Sequence, residues 1–478
     1  MELKMKFQHL LTLITGMIEC MFFAGIAFGW ASFVFILKHE KYFQDLCPYP
    51  GNQSRNATDG CPEQDEQFSQ IFTVAIFLNS FMTFPFGFIF DKFGTAVTRS
   101  LAIFLYTMAT LFIALSYADI ATIMFPALFF LAAGGTLLLV TNMQVGNLFG
   151  SHRSTVITFL NGAFDSSSVM LLFVKLLYQI GVPLQTTFFC ITSCCIAFLI
   201  RTLFLMPKAQ IPYPLPERYR YGIRCAKSNT PVSLEITSLK DPSSQDQLGQ
   251  KSINGIMHQE ASDLSFWSCI RSSLFSLHVI WLSIIQLRLI MFIATLNPTL
   301  NRLSGGDLQI VSHYTNVFAL SQFCGIICAP WNGMIMDRHK RKKKVSDSMA
   351  DLRSSVLSLA LTATQSTLFS IIAVIQTLPA MYAAFILQVL NRSFLYGGNA
   401  AFLSIAFPLQ HFGKLYGLIM SLSALVLVLQ YPALYIIRTY LKGDSFYVDI
   451  ALLILGLLAF IHPISVFQLC KKKNVSRE

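Results

Sequence analysis

A small set of polar side chains stands inside long apolar runs, and these are the residues able to do chemistry. Glu19 lies in the first run, followed by Phe22, Phe23 and Trp30. Asn142, Gln144 and Asn147 lie in the fourth run, and Asn161 and Asp165, four apart and so on one helical face, lie in the fifth. Later runs carry Gln286 and Arg288, Asn316 and Gln322, then Gln388, Arg392 and Asn399. Charges and amides are costly in lipid, so each invites a binding role, with polar contacts between helices as the plainer alternative. Arg392 sits well inside its run and needs a partner, for which Glu19 and Asp165 are the candidates. Asp165 lies toward the inner end of its helix, which favours structure, so Glu19 is the leading solute contact. The set can recognise a solute by its hydrogen-bonding edge, with Phe23 on the face of Glu19 as a stacking surface. The expected substrate contacts are Glu19, Phe23, Asn142, Asn161, Gln286, Asn316, Gln388 and Arg392. An enzyme is not expected: there is no Gly-x-x-x-x-Gly-Lys loop, no His-Glu-x-x-His and no Ser-His-Asp constellation. Neither a cofactor nor a metal site is expected, because the 11 cysteines show no ligand spacing.

The elements that position these residues are membrane helices. Of 478 residues, 54% are hydrophobic and 12% charged, where a soluble domain carries about 25% charged residues. Mean hydropathy is +0.57. Runs of about 20 apolar residues fall near 10–36, 68–90, 98–118, 121–149, 154–178 and 184–206, then near 274–298, 311–336, 353–377, 380–407, 412–438 and 447–470. This predicts an all-α membrane protein with about twelve spanning helices. The first run is too long for a signal-peptide core and is read as a retained helix.

Basic residues set the orientation. Lys4 and Lys6 precede the first run and Lys471, Lys472 and Lys473 follow the last, so both termini are expected in the cytoplasm. Loops 91–99, 149–154 and 337–353 agree, with Lys92, Arg99, His152, Arg153 and the basic cluster around Arg341. The net charge of +11 is explained by such loops, so the lipid bilayer and a small solute, not nucleic acid, are the expected partners. The acidic loop 38–67 is expected outside. Its sequons Asn52-Gln53-Ser54 and Asn56-Ala57-Thr58 predict a glycan on Asn52 or Asn56, and Cys47 and Cys61 are a candidate disulfide. Residues 207–273 form a polar, proline- and serine-rich linker expected to be unpacked. It separates a six-helix bundle at 1–206 from another at 274–478.

The two halves repeat a motif. Gly87-Phe88-Ile89-Phe90-Asp91-Lys92 ends the second helix of one half, and Gly333-Met334-Ile335-Met336-Asp337-Arg338 the second helix of the other. Glycine permits close helix approach, and the aspartate and basic residue are expected to pair across helix ends as a gate. The paired motif resembles the signature loop of the major facilitator superfamily, although Thr95 and Ala96 stand where basic residues are usual. Longer segments carry a closer resemblance: Asn161-Gly162-Ala163-Phe164-Asp165-Ser166-Ser167-Ser168, Ile211-Pro212-Tyr213-Pro214-Leu215-Pro216, Ala329-Pro330-Trp331-Asn332-Gly333, Arg392-Ser393-Phe394-Leu395-Tyr396-Gly397-Gly398-Asn399 and His411-Phe412-Gly413-Lys414-Leu415-Tyr416-Gly417. Together they look like solute carrier family 43 along essentially the whole chain. That resemblance implies sodium-independent facilitated transport at the plasma membrane, with the short N-terminus and compact linker closest to the branch that carries purine nucleobases such as adenine, guanine and hypoxanthine. The residues alone leave open uniport of large neutral amino acids and a non-transporting receptor or scaffold.

Overall fold

A computed structural model describes residues 2–47, 62–216, 219–222, 265–305, 307–338, 348–441 and 444–475. These residues are almost wholly helical. Ten continuous runs are long and apolar enough to cross a membrane, and two of them are double. Glu66–Ala114 has 49 residues and Ala118–Gln179 has 62; at 1.5 Å per residue each is far longer than a hydrocarbon core of about 30 Å. Each turns back at a glycine with positive φ, Gly94 (φ 78) and Gly150 (φ 45), a backbone region that side chains disfavour. Split at those turns, the described residues form twelve candidate crossings. Helix 1 is Phe7–His39; helices 2 and 3 are 62–93 and 95–114; helices 4 and 5 are 118–149 and 151–179; helix 6 is Leu184–Phe204. Helices 7 to 12 are Ser273–Leu303, Gln309–Asp337, Ala350–Val374, Leu378–Ala406, Leu409–Ile437 and Phe446–Lys472.

Large apolar side chains such as Phe104, Ile196, Ile327, Trp331 and Ile386 are exposed, as a lipid-facing surface requires. One apolar cluster is confined to the first half, around Phe33, Phe68 and Phe188. Another runs across both halves, joining Phe90, Met143 and Leu160 to Met336, Phe412 and Leu415. The halves are thus fused at the end of the bundle that bears both termini, called here the terminal face. From there, helix 2 packs along helix 11 and helix 5 along helices 8 and 10.

Two expectations need correction. The start of the linker is packed: 206–216 crosses the terminal face of the first half as a strap. Lys208 O accepts from Ala96 N at 3.1 Å and Ala209 O from Thr95 Oγ1 at 2.9 Å. Polar composition suggested a solvated segment, but hydroxyl and amide side chains of the first half satisfy the strap's backbone. Second, Arg99 and Arg153 are not loop cations; they are 0% and 3% exposed. Cys47 is disulfide-bonded, while Asn52, Asn56 and Cys61 lie outside the described residues, as does the basic cluster at 339–347.

Candidate functional site

Midway through the membrane, helix 5 of the first half meets helix 10 of the second. Arg392 donates from Nε to Asp165 Oδ1 at 3.2 Å, and its terminal nitrogen forms an ion pair with the same oxygen at 3.1 Å. Asp165 is 6% exposed, and its Oδ2 has no hydrogen-bond partner. It lies about 20 Å along its helix from the Gly150 turn, near mid-bilayer rather than at the inner end expected of it. The Arg392 guanidinium lies over the Phe28 ring at 5.7 Å, and Phe28 packs edge-on against Phe164 at 5.7 Å. Gln388, Arg392 and Tyr396 follow at four-residue spacing on one face of helix 10. Gln286 of helix 7 lies near Tyr396, which is near both Asp165 and Arg392. Tyr416 of helix 11 is close to Tyr396 and Asp165. Gln388 accepts from Gln322 at 2.9 Å.

Three buried polar atoms here lack partners: the acceptors Asp165 Oδ2 and Gln286 Oε1, and the donor Gln388 Nε2. Buried polar groups are normally satisfied, so these unpaired atoms between the two halves make this a candidate place for a ligand that both donates and accepts. Aromatic rings of Phe28, Phe164 and Tyr396 supply flat apolar surface.

Other expected contacts lie elsewhere. Glu19 turns into the first half, where Oε1 pairs with Arg99 at 2.5 Å, Oε2 pairs with Arg201 and Asn142 donates to Oε2 at 2.9 Å. Both oxygens are committed, so Glu19 and Asn142 form a buried hub joining helices 1, 3, 4 and 6, apart from the Asp165–Arg392 pair. The shared face of Glu19 and Phe23 exists, but it points inward: Phe23 packs on Phe198 at 4.9 Å. A π-turn at Cys20–Ala24 and a 3-10 turn at Ile26–Gly29 then reset the helical phase, which brings Phe28 rather than Phe23 to the central pair. Asn161, one turn from Asp165, donates to Ile157 O at 2.9 Å and to Met143 Sδ at 3.2 Å. Asn316 is exposed on the helix-8 face that continues through the exposed Leu320, Phe323 and Ile327. Arg288 pairs with Asp449 of helix 12 at 2.5 Å, within the second half.

The repeated motif forms two cross-half contacts at the terminal face. Asp91 accepts from the backbone N–H of Gly413 at 2.9 Å and of Lys414 at 2.8 Å, where helix 11 begins. Asp337 accepts from Thr155 N at 2.8 Å, Thr155 Oγ1 at 2.9 Å and Ser154 N at 3.4 Å, where helix 5 begins. Each aspartate therefore caps a helix of the opposite half, where free N–H groups and the helix dipole attract an anion. Of the basic residues of the motif, Lys92 lies over the Phe88 and Phe93 rings at 5.6 and 5.4 Å, and Arg338 is exposed. The glycines do what the motif needs. A Cβ on Gly87 would meet Gly413 O at 1.9 Å, and one on Gly333 would meet Thr155 Cα at 2.3 Å.

Sequence reasoning passed over Phe28 and Tyr396, although the four-residue step from Arg392 to Tyr396 was visible. It also passed over Arg201 as the partner of Glu19.

Comparison with known proteins completes the description of the chain. The family model described as Major Facilitator Superfamily matches residues 20–430. The chain is 50% identical to equilibrative nucleobase transporter 1 of Bos taurus over 480 residues, which cover 98% of this chain and 97% of that protein. It is 27% identical to large neutral amino acids transporter small subunit 3 of Homo sapiens, covering 95% and 92% of the two chains. It is 25% identical to protein FMP42 of Saccharomyces cerevisiae, covering 84% and 83%.

Proposed function

The chain belongs to the Major Facilitator Superfamily, and we propose that it is a facilitative carrier of purine nucleobases such as adenine, guanine and hypoxanthine. It works by alternating access, without sodium, in the plasma membrane, with both termini cytoplasmic and a glycan on Asn52 or Asn56.

The observation that carries this reading is the mid-membrane pair with its unpaired atoms. Arg392 is already neutralised by Asp165, so the site has no spare charge to offer a charged solute. What remains is two acceptors and one donor beside aromatic rings. A purine is neutral and flat, and its edge alternates N–H groups with ring nitrogens, which complements that set. The 50% identity with a nucleobase transporter supports the same reading. A leucine-like amino acid is the second reading, favoured by the presence of one carboxylate and one guanidinium, but binding it requires opening their ion pair.

The cycle follows from the geometry. Asp91 and Asp337 hold the terminal face closed by capping helices 11 and 5. For solute to leave on that side, both caps must open and the Asp165–Arg392 bridge between the halves must lengthen. Nothing is consumed, so flux follows the gradient. The test is radiolabelled adenine uptake into cells expressing the chain, with leucine in parallel and sodium removed. Saturable adenine uptake alone is expected; leucine uptake alone transfers the chain to the second reading.

A further inference from the structure

We infer that the strap at 206–216 is a working part of the terminal-face gate, with Gln210 as the residue that positions Asp91 for helix 11. This rests on the reading of Asp91 as a gate residue given above.

The strap is irregular but anchored at successive residues. Beyond Lys208 and Ala209, Ile211 N donates to Gln144 Oε1 at 3.0 Å and Ile211 O accepts from Asn147 Nδ2 at 2.8 Å. Gln144 also donates to Thr95 Oγ1 at 2.7 Å, so one amide ties the strap to the turn between helices 2 and 3. Prolines at 207, 212, 214 and 216 restrict the segment further. All these anchors lie in the first half, so the strap travels with that half.

Gln210 is the strap side chain that reaches the gate. Its Nε2 donates to Phe90 O at 3.2 Å and to Asp91 Oδ1 at 3.1 Å. That oxygen is the one that accepts from Gly413 N. The amide thus holds the carboxylate in the rotamer that faces helix 11. A second link runs through Arg153, which donates to Asn147 Oδ1 at 2.7 Å and to Ser404 O of the second half at 3.0 Å, and whose guanidinium lies over Tyr213 of the strap at 4.3 Å. A cavity beneath the strap is lined by Gln144, Arg153, Gln210, Ser404 and Phe412, so strap and both halves meet at one place.

The sign of the effect follows from solvation. When the terminal face opens, Asp91 loses Gly413 and Lys414 and water can replace Gln210. When it is closed, Asp91 is desolvated and each bond counts for more. Removing the amide therefore weakens the closed state more than the open one.

The experiment measures influx and efflux of radiolabelled adenine in sealed plasma-membrane vesicles of known sidedness, with carrier amount normalised. A passive carrier has equal Vmax/KM in both directions, so a shifted conformational balance moves the two KM values oppositely. Gln210→Ala is expected to raise KM at the outer side and lower it at the terminal side, each by about threefold to tenfold, the effect of one hydrogen bond. Asp91→Asn shifts them the same way, and the double variant adds little beyond it. Gln210→Glu, which sets a second carboxylate beside Asp91, gives a larger shift of the same sign and serves if the alanine variant fails to reach the membrane. If Asp91→Asn shifts KM and neither Gln210 variant does, the strap inference falls and the gate stands. If no variant shifts KM, the gate reading falls with it. Equal loss of Vmax in both directions at constant KM in the Gln210 variants, or full additivity in the double variant, makes the strap a structural brace and overturns the inference.

Discussion

Replacing Asp165 by asparagine removes one charge and almost no volume, and it tests the central site directly. In the protein, Arg392 uses one carboxylate oxygen, at 3.1 and 3.2 Å, and leaves Oδ2 for a solute N–H. A hydrogen bond to a charged group contributes about 1.5–3 kcal/mol. At about 1.4 kcal/mol per tenfold, losing that acceptor lowers Vmax/KM for adenine by roughly 10- to 150-fold. The amide oxygen can keep one contact with Arg392, so the protein should still fold and reach the surface. The assay is the concentration dependence of adenine uptake, normalised to carrier labelled at the cell surface. A variant with normal surface amount and Vmax/KM within twofold of the parent would refute the reasoning, because Asp165 would then only tie helix 5 to helix 10. Transport of leucine gained by the same variant is not expected, since removing the carboxylate removes the only candidate ammonium partner in the pair.

Three further outcomes follow. Glu19→Gln leaves Arg99 and Arg201 sharing a neutral partner in a buried hub, a defect of about 3–5 kcal/mol; surface amount and melting temperature in detergent should fall, with adenine KM unchanged in the molecules that survive, and a KM change above threefold returns Glu19 to the solute site. Phe28→Ala should raise adenine KM about tenfold by removing a stacking ring, whereas Phe23→Ala should act on stability alone; equal KM effects in competition uptake sink that distinction. Gly87→Val forces a side chain into Gly413 O, where even a Cβ has 1.9 Å, so closure of the terminal face and adenine flux should both be lost, while Gly456→Val, which has open space, should transport normally.

How much of this was legible depended on how local each property is. Hydropathy is a sum over neighbours along the chain, so the apolar, membrane-crossing character of the helices could be read without tertiary contacts. The repeated Gly-x-x-x-Asp segments were also readable, because helix approach at Gly87 and Gly333 depends on the absence of a side chain. Their chemistry was not: the aspartates bind helix N-termini more than 180 residues away in the chain, Asp91 to Lys414 and Asp337 to Thr155. The linker misled for a similar reason. Polar, proline-rich composition describes what a segment would do in water, and the anchors that hold 206–216 are Thr95, Gln144 and Asn147, side chains from other helices.

The sequence by itself therefore determined that the chain lives in lipid, that it is all-helical with about twelve apolar runs, that it carries the Gly-x-x-x-Asp motif twice, and which few polar residues must be explained. Only the tertiary structure decided which of those residues face each other. A helix presents a polar side chain to one azimuth, and sequence cannot say what stands there. Arg392 had two candidate carboxylates, Glu19 and Asp165, and helix packing assigned it Asp165 while Arg99 and Arg201 claimed Glu19. The π-turn at Cys20–Ala24 shifted the phase of helix 1 and exchanged Phe23 for Phe28 at the centre. An ion pair in a low-dielectric interior is settled by a few ångströms of placement, and that placement is a property of the assembled bundle rather than of any one of its segments.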